Sequence, residues 1–180
     1  MTRANAIAIA SNMAAADPRD AFLILRGTGM RPGECFAMQW EYVCWDGMFY
    51  QNPRGKTKTA RRPIPLLGDA FSILQRRHAA QHTPKSGWIF PQDKSATGHI
   101  VSITKAFTKA RDAAGLPKEM VLYTARHGNM TDLSGTCSLV EVMAIGGHSD
   151  VKTAMKYQHP DVAALKAKLV AAQPASNQIN

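Results

Sequence analysis

Residues 148–160 read His-Ser-Asp-Val-Lys-Thr-Ala-Met-Lys-Tyr-Gln-His-Pro and follow a pair of glycines. The pattern predicts a turn and then a short helix, with Ser149 as its N-cap and Asp150 near its positive end. The helix has one apolar face, made by Val151, Ala154 and Met155. Tyr157 lies off that face, on the last turn before Pro160. Taken alone, it is most simply a surface tyrosine, because a nucleophile needs other groups to hold its electrophile.

The composition of the 180-residue chain is that of a globular protein with one ordinary domain, at 45% hydrophobic and 19% charged residues. A net charge of +9 and a pI of about 9.7 favour a polyanionic partner, nucleic acid before an acidic membrane. The alternative is that the charge only keeps the protein soluble. Cys35, Cys44 and Cys137 lack metal-ligand spacing, so we expect reduced cytosolic thiols and no metal. No apolar run approaches the roughly 20 residues that span a bilayer, and Ala4–Ala10 is too short for a signal peptide.

An apolar helix is predicted to begin at Asp17-Pro18, an N-cap followed by proline at the first helical position, and to end at Gly27. Met1–Ala16 is alanine-rich and weakly patterned, which indicates a frayed helix or the remnant of a linker. After a tight turn, Arg31-Pro32-Gly33-Glu34 opens a second helix. Further helices are predicted over Asp69–Ala80, His99–Ala114, Thr124–Leu133, from a capping box at Ser138-Leu139-Val140-Glu141, and over Asp161–Ala172, before a disordered tail at 173–180.

Between these helices the pattern changes to short β-strands. Tyr42–Trp45 and Met48–Gln51 flank Asp46-Gly47, a strong signal for a two-residue hairpin. A second hairpin runs through residues 52–60 into Arg61–Leu66, whose prolines place that strand at an edge. The sequence therefore predicts an α+β, mainly α domain with a small three-stranded antiparallel sheet. The second hairpin is very basic, which is typical of phosphate contacts, and its cations are Arg54, Lys56, Lys58, Arg61 and Arg62.

Four positions could act together with the tyrosine, although each has an ordinary explanation on its own. Arg31 lies on a turn, where Glu34 can orient it or cap the helix. Lys56 is at a hairpin tip and otherwise belongs to a solvated loop. Arg126 begins a helix, where its charge opposes the dipole, so it is held either for an anion or for an ion pair at the core edge. His148 follows two glycines that permit close approach of a ligand, and is otherwise a loop cap.

In combination these residues resemble the tyrosine recombinase (phage integrase) family. The matching motifs are Thr28-Gly29-Met30-Arg31-Pro32-Gly33-Glu34, the basic hairpin with Lys56, Tyr123-x-x-Arg126-His127, Gly147-His148-Ser149, and the Thr153-x-x-x-Tyr157 spacing. Their order is specific, and the resemblance covers residues 17–172 as the catalytic domain of that family. It divides the chain into a linker or frayed segment at 1–16, the catalytic domain at 17–172 and the tail at 173–180.

The resemblance implies a role for each matching residue in the cleavage of a DNA strand. Tyr157 would attack a phosphodiester, forming a 3′-phosphotyrosyl link and freeing a 5′-hydroxyl. Arg31 and Arg126 would bind the non-bridging oxygens, and His148 would hydrogen-bond them. Lys56, which the register favours over its neighbour two residues later, would be the general acid for the leaving oxygen.

Two supporting positions follow from the same resemblance. Tyr123 stands where the family most often has histidine, so an orienting or hydrogen-bonding role is expected, and Glu34 matches the acidic residue that supports the site. Gly146 stands where the family usually has a bulky apolar residue. Fixed guanidinium groups suit a phosphodiester, whose transition state carries additional negative charge. The sequence has neither a P-loop nor a carboxylate cluster for two metals, which fits cleavage without metal, cofactor or ATP.

Two other functions are compatible with these residues: a type IB topoisomerase-like nicking and closing activity, and a non-catalytic DNA-binding remnant. The family implies double-stranded DNA as partner, a monomer in isolation and a homotetramer on paired sites, in the cytoplasm and nucleoid of a prokaryotic host. Residues 161–172 would dock on a neighbouring protomer or pack in cis. Family members carry a core-binding domain ahead of the catalytic one, and Met1–Ala16 in that place fits both a catalytic fragment and a naturally short protein.

Overall fold

The computed structural model describes residues 1–53 and 61–147, together with Met155. Over these residues the chain forms a mainly helical fold with one small antiparallel sheet, which confirms the predicted fold class. The elements in chain order are α1 (Arg3–Ser11), α2 (Ala16–Thr28), α3 (Pro32–Phe36), a 3₁₀ turn (Trp40–Tyr42), β1 (Val43–Cys44), β2 (Phe49–Gln51), β3 (Pro63–Pro65), α4 (Asp69–Ala80), α5 (Thr104–Ala113), α6 (Tyr123–Ser134) and α7 (Leu139–Gly146). Among the described residues, no helix is long and apolar enough to cross a membrane.

Helix α2 lies at the centre of the core. Phe22, Ile24 and Leu25 have no exposed surface, and the helix packs against α1, α3, α4, α5 and α6. It ends where Gly29 adopts the left-handed conformation, with φ of 66°, and donates its N–H to the carbonyl of Leu25 at 3.0 Å. Glycine takes this conformation without strain, so the turn that leads to Arg31 has a fixed starting geometry.

The sheet has the order β1-β2-β3, and both pairings are antiparallel. Tyr50 of β2 lies opposite Ile64 of β3, and both side chains are buried. Pro63 and Pro65 are exposed on β3, which is an edge strand as expected. Proline has no backbone N–H to donate to a neighbouring strand, so it is tolerated at the edge of a sheet. The tip of the second hairpin, residues 54–60, lies outside the described part of the chain.

The N-terminal segment differs from the expectation of a frayed helix or linker. Helix α1 has Thr2 as its N-cap, whose Oγ1 accepts from the N–H of Asn5 at 3.2 Å. Ala6, Ile9 and Ala10 are buried in the same core cluster as α2, and α1 packs against α2 and α5. These positions follow helical spacing, so a short apolar stripe is present, but the alanines make it weak in the sequence.

The start of α5 also differs from its prediction at His99, since the helix begins at Thr104. Residues 99–100 pair as extended chain instead, and the N–H of Ile100 donates to the carbonyl of Phe90 at 3.0 Å. The capping box at α7 is confirmed, because Ser138 Oγ accepts from the N–H of Glu141 at 3.4 Å and the N–H of Ser138 donates to the carboxylate at 2.7 Å.

Shortening Ile9 tests whether α1 belongs to the core. We expect Ile9→Ala to lower the free energy of unfolding by about 2–5 kcal/mol, because its side chain has no exposed surface. The matched control is Ile7→Ala on the same helix, which is 56% exposed and should change stability by less than about 0.5 kcal/mol. Urea unfolding followed by circular dichroism measures both, and equal effects would show that α1 is not part of the cooperative core.

Candidate active site

Three consecutive carbonyls at the C-terminal end of α7 each accept a hydrogen bond from a different arginine. The pairs are Ile145 O with Arg62 Nε at 2.7 Å, Gly146 O with Arg126 Nη2 at 2.6 Å, and Gly147 O with Arg31 Nη2 at 3.0 Å. A helix end leaves its last carbonyls without helical partners and carries a partial negative charge, so cationic donors are favourable there. The arginines come from the start of α3, the flank of β3 and the second turn of α6, and α7 gathers them into one cluster.

Arg126 is held from both sides of this cluster. It is fully buried, and its Nη1 donates to the carbonyl of Gly29 at 2.5 Å, opposite the contact with Gly146. Burial lowers the pKa of Arg126 below its usual range, and the nearby charges of Arg31 and Arg62 act in the same direction. The guanidinium therefore joins the end of α2 to the end of α7. Both of these contacts are hydrogen bonds to backbone carbonyls.

Gly29 is required by close packing as well as by its backbone conformation. A β-carbon at this position would overlap the side chains of Asn129 and Met130. Asn129 in turn donates to the carbonyl of Gly27 at 3.0 Å, which fastens α6 to the end of α2. The Thr-Gly-Met-Arg turn predicted from the sequence thus brings Arg31 and Arg126 towards the same place.

Glu34 is the carboxylate at the centre of the cluster. Its Oε1 accepts from Arg31 Nη1 at 3.0 Å and Arg62 Nη1 at 3.2 Å, and its Oε2 accepts from the N–H of Arg31 at 3.0 Å and Arg62 Nη2 at 3.2 Å. Burial opposes ionisation of Glu34, but the hydrogen bonds and charges of Arg62 and Arg31 outweigh it, so the pKa of Glu34 lies below its ordinary value. The glutamate both caps α3 and holds two arginines.

The position of Arg62 differs from the expected phosphate contact on an exposed hairpin. Its side chain is buried, at 5% exposure for the residue, and it faces Glu34 and the end of α7. The neighbouring Arg61 is exposed. The alternation of a β-strand explains the difference, because Arg62 shares the inward face with Ile64 and Leu66. That period was present in the sequence, but the charge of Arg62 made an outward position seem natural.

Tyr123 begins α6, one turn before Arg126, and 41% of its surface is exposed. Its ring meets that of His127 edge-on, with 5.0 Å between the centroids. The structure thus brings Arg31, Glu34 and Arg126 together and leaves Tyr123 at the exposed start of the helix that carries Arg126. The remaining sequence-predicted positions, Arg54, Lys56, Lys58, His148 and Tyr157, lie outside the described residues, as do segments 161–172 and 173–180. Within the described ranges there is no group of three or more His, Cys, Asp or Glu residues that could hold a metal ion.

With this fold and site in view, comparison with known proteins identifies the family. A sequence model described as the phage integrase family matches residues 2–163, and the chain therefore belongs to this family. A protein named as an integrase of prophage phiRv2 in Mycobacterium tuberculosis is 24% identical, over 85% of this chain and 47% of the relative. The chain thus spans about half the length of the curated relatives it matches.

Solved structures with the same fold include integrases and recombinases. The Tn1549 transposon integrase in complex with transposon right end DNA has a TM-score of 0.77 at 17% identity, covering 96% of this chain and 65% of that chain. The XerA recombinase has a TM-score of 0.71 at 15% identity, with coverages of 98% and 64%. The catalytic domain of bacteriophage HP1 integrase has a TM-score of 0.70 at 19% identity, with coverages of 100% and 98%. The resemblance found in the sequence is confirmed at the level of family and fold.

The lowered pKa of Glu34 predicts how stability depends on pH. A carboxyl group whose pKa is lower in the folded state than in the unfolded chain stabilises the folded protein. This stabilisation is fully present at pH values above the unfolded-state pKa, near 4.5, and is lost as the pH falls through the folded-state pKa. We expect Glu34→Gln to destabilise the protein by about 3 kcal/mol at pH 7, because two arginines lose their counter-charge. The gap between the two proteins should close as pH falls below about 4.5. Urea unfolding from neutral to acidic pH measures this, and a gap that is constant with pH would contradict it.

Proposed function

We propose that this chain is the catalytic domain of a tyrosine-type site-specific DNA recombinase, which cleaves and rejoins strands through a 3′-phosphotyrosine on Tyr157. The observation that carries the proposal is the meeting of Arg31 and Arg126 on adjacent carbonyls, those of Gly147 and Gly146. These carbonyls directly precede His148 in the chain. Two arginines that are distant in sequence thus converge beside the segment that leads to the nucleophile, within a member of the phage integrase family.

The charge of the cluster supports an anionic substrate. The guanidinium groups of Arg31 and Arg62 contact Glu34, and that of Arg126 binds the adjacent carbonyl of Gly146, so positive charge is in excess among these four side chains. A phosphodiester carries one negative charge and its transition state carries more, so preorganised cationic donors stabilise the transition state above the ground state. Arginine suits this task because its planar fork meets two oxygens and remains charged.

Arg31 and Arg126 would bind a phosphate one after the other. In Arg31, 38% of the side chain is exposed, whereas Arg126 has no exposed surface. Arg31 therefore meets the DNA first. Arg126 reaches a non-bridging oxygen when the carbonyl of Gly146 gives up its hydrogen bond, which requires a small movement at the end of α7.

The reaction balances without an external energy source. The hydroxyl oxygen of Tyr157 releases its proton to solvent and forms a bond to phosphorus as the bond to the 5′-oxygen breaks. Lys56 gives a proton to that leaving oxygen. His148 and the two arginines hold the non-bridging oxygens, while Tyr123 orients the phosphate. Attack of a 5′-hydroxyl on the phosphotyrosine then restores a diester, so the energy of the original bond is kept in the covalent link.

The partner of this chemistry would be double-stranded DNA. The Tn1549 transposon integrase in complex with transposon right end DNA and the XerH site-specific recombinase bound to its difH substrate, which have the same fold, support a DNA partner. Recombination joins two duplexes, so four protomers would assemble on paired sites, with residues 161–172 either docked on a neighbouring protomer or packed in cis. Arg54, Lys58 and Arg61 of the second hairpin contact phosphates. The setting would be the cytoplasm of a prokaryotic cell, in association with the nucleoid, for a prokaryotic or phage-encoded protein.

The covalent link to Tyr157 is the direct test of the reaction. We expect the wild-type chain, mixed with a library of nicked duplexes of varied sequence, to form an adduct that survives denaturation, because the short strand beyond the nick diffuses away. Tyr157→Phe should form none, since it lacks the attacking hydroxyl. Denaturing gel electrophoresis detects the adduct, and sequencing its DNA identifies the site.

Tyr42→Phe is the matched control, because it removes a phenolic hydroxyl on the sheet side of the fold and should leave the adduct yield unchanged. The absence of an adduct with the wild type would refute the proposed activity. Exchange of strands between two sites, as opposed to relaxation of supercoils, then separates a recombinase from a nicking and closing enzyme.

Phosphate contact by the hairpin predicts a change in salt dependence. Arg61→Ala should weaken binding to a labelled duplex and reduce the slope of log K against log salt by about 1, because one phosphate contact is lost. Arg3→Ala on α1 is the control, since Arg3 is an exposed arginine away from the hairpin, with 83% of its side chain accessible. Fluorescence anisotropy at increasing salt measures both slopes, and equal slopes for Arg61→Ala and wild type would contradict the contact.

A further inference from the structure

We infer that Arg62 is a positioning residue of the catalytic site, which sets the place of Arg31 through Glu34 and the place of the α7 end through Ile145. The inference rests on the proposed function, since it concerns how the cleavage site is held. It gives Arg62 a different task from its exposed neighbour Arg61, although both follow the same hairpin.

Arg62 binds the carboxylate of Glu34 through two hydrogen bonds. Nη1 and Nη2 lie 3.2 Å from Oε1 and Oε2 of Glu34, a two-pronged contact in which both partners are planar. The side chains are 6% and 11% exposed, so water competes little for these donors and acceptors. Such a fork fixes the orientation of the carboxylate as well as its distance.

Glu34 in turn holds Arg31. The two carboxylate oxygens that bind Arg62 also accept hydrogen bonds from the backbone N–H and from Nη1 of Arg31. A rotation of the carboxylate would therefore move both the start of α3 and the guanidinium of Arg31. The orientation set by Arg62 is passed on to the arginine that would meet the phosphate.

The guanidinium of Arg62 also contacts α7. Nε of Arg62 donates to the carbonyl of Ile145 at 2.7 Å, in the turn whose next two carbonyls hold Arg126 and Arg31. His148 follows that turn directly in the chain. One residue at the base of the hairpin thus aligns the two arginines and the backbone ahead of His148.

Arg77 is a natural control, because it has the same kind of environment away from this cluster. It is 8% exposed, its Nη1 donates to Asp20 at 3.0 Å and its Nη2 donates to the carbonyl of Ile89 at 3.0 Å. Its contacts hold α4 to α2 and to the segment after α4. A merely structural arginine at position 62 would behave as Arg77 does.

The experiment compares Arg62→Lys with Arg77→Lys in the full chain, using the nicked duplex selected by the wild type. Lysine keeps the charge and loses the fork. We expect Arg62→Lys to slow single-turnover cleavage about 100-fold, since a small misplacement of catalytic groups has effects of that size, while the Kd for DNA changes less than about threefold. Arg77→Lys should lose stability in urea to a similar degree and cleave within about threefold of wild type.

Two further readouts separate positioning from stability. The effects of Arg62→Lys and Arg31→Lys should be far from multiplicative in the double variant, because both act through the same guanidinium of Arg31. The rate loss of Arg62→Lys relative to wild type should be smaller on a substrate with a neutral methylphosphonate at the cleaved position than on the normal phosphate. A misplaced Arg31 matters less there, because less negative charge needs to be stabilised. Arg62→Gln, which keeps one amide donor, replaces the lysine variant if that one fails to fold.

The outcomes distinguish the two proposals. No adduct with wild type refutes the recombinase assignment, and with it any role of Arg62 in that reaction. An active wild type with equal rate losses in the Arg62 and Arg77 variants, or with multiplicative effects in the double variant, overturns the positioning role alone. A large rate loss confined to Arg62→Lys, with smaller loss on the methylphosphonate, supports it.

Discussion

The arrangement of this protein depends on the hydrogen bonds to the last backbone carbonyls of α7. The carbonyls of residues 145–147 are beyond the reach of further helical donors, and a buried acceptor without a partner is costly. Arginines from three separate parts of the chain supply the missing hydrogen bonds. The same contacts therefore complete a helix, fasten the sheet and α6 to α7, and concentrate the guanidinium groups on which phosphate chemistry would rely.

Gathering cations in a poorly solvated place has an electrostatic cost, and the site shows how it is reduced. Glu34 lies between Arg31 and Arg62 and is kept ionised by them, while the negative end of the α7 dipole faces all three arginines. Among these four side chains the guanidinium groups outnumber the carboxylate. An excess of positive charge among these groups favours a bound anion, which is the basis of the proposed phosphate site.

The differences between sequence and structure have specific physical causes. Residues 1–16 were expected to fray because alanine contributes little to a hydrophobic pattern, yet Ile9 gains burial from α2 and α5. His99 was expected to start a helix, but pairing with the chain near Pro91 holds it extended. Arg62 was placed on the exposed basic hairpin by its charge, whereas the strand alternation and the carboxylate of Glu34 turn it inward. In each case a contact with another segment of the chain contributed to the outcome.

The sequence by itself determined the mainly helical class, the three-stranded sheet, the edge position of Pro63 and Pro65, and the order of motifs that indicates the family. The secondary structure follows from local periodicity, capping and turn preferences, which neighbouring residues largely control, whereas the family follows from the resemblance of the motifs. The same resemblance singled out Arg31, Glu34 and Arg126, together with positions outside the described residues. Only the tertiary structure decided what these residues touch, because Gly29, Gly146 and Arg62 become their partners through packing between elements far apart in the chain. Local pattern can name the charged groups, but their shared contacts at the end of α7 exist only once the helices and the sheet have packed together.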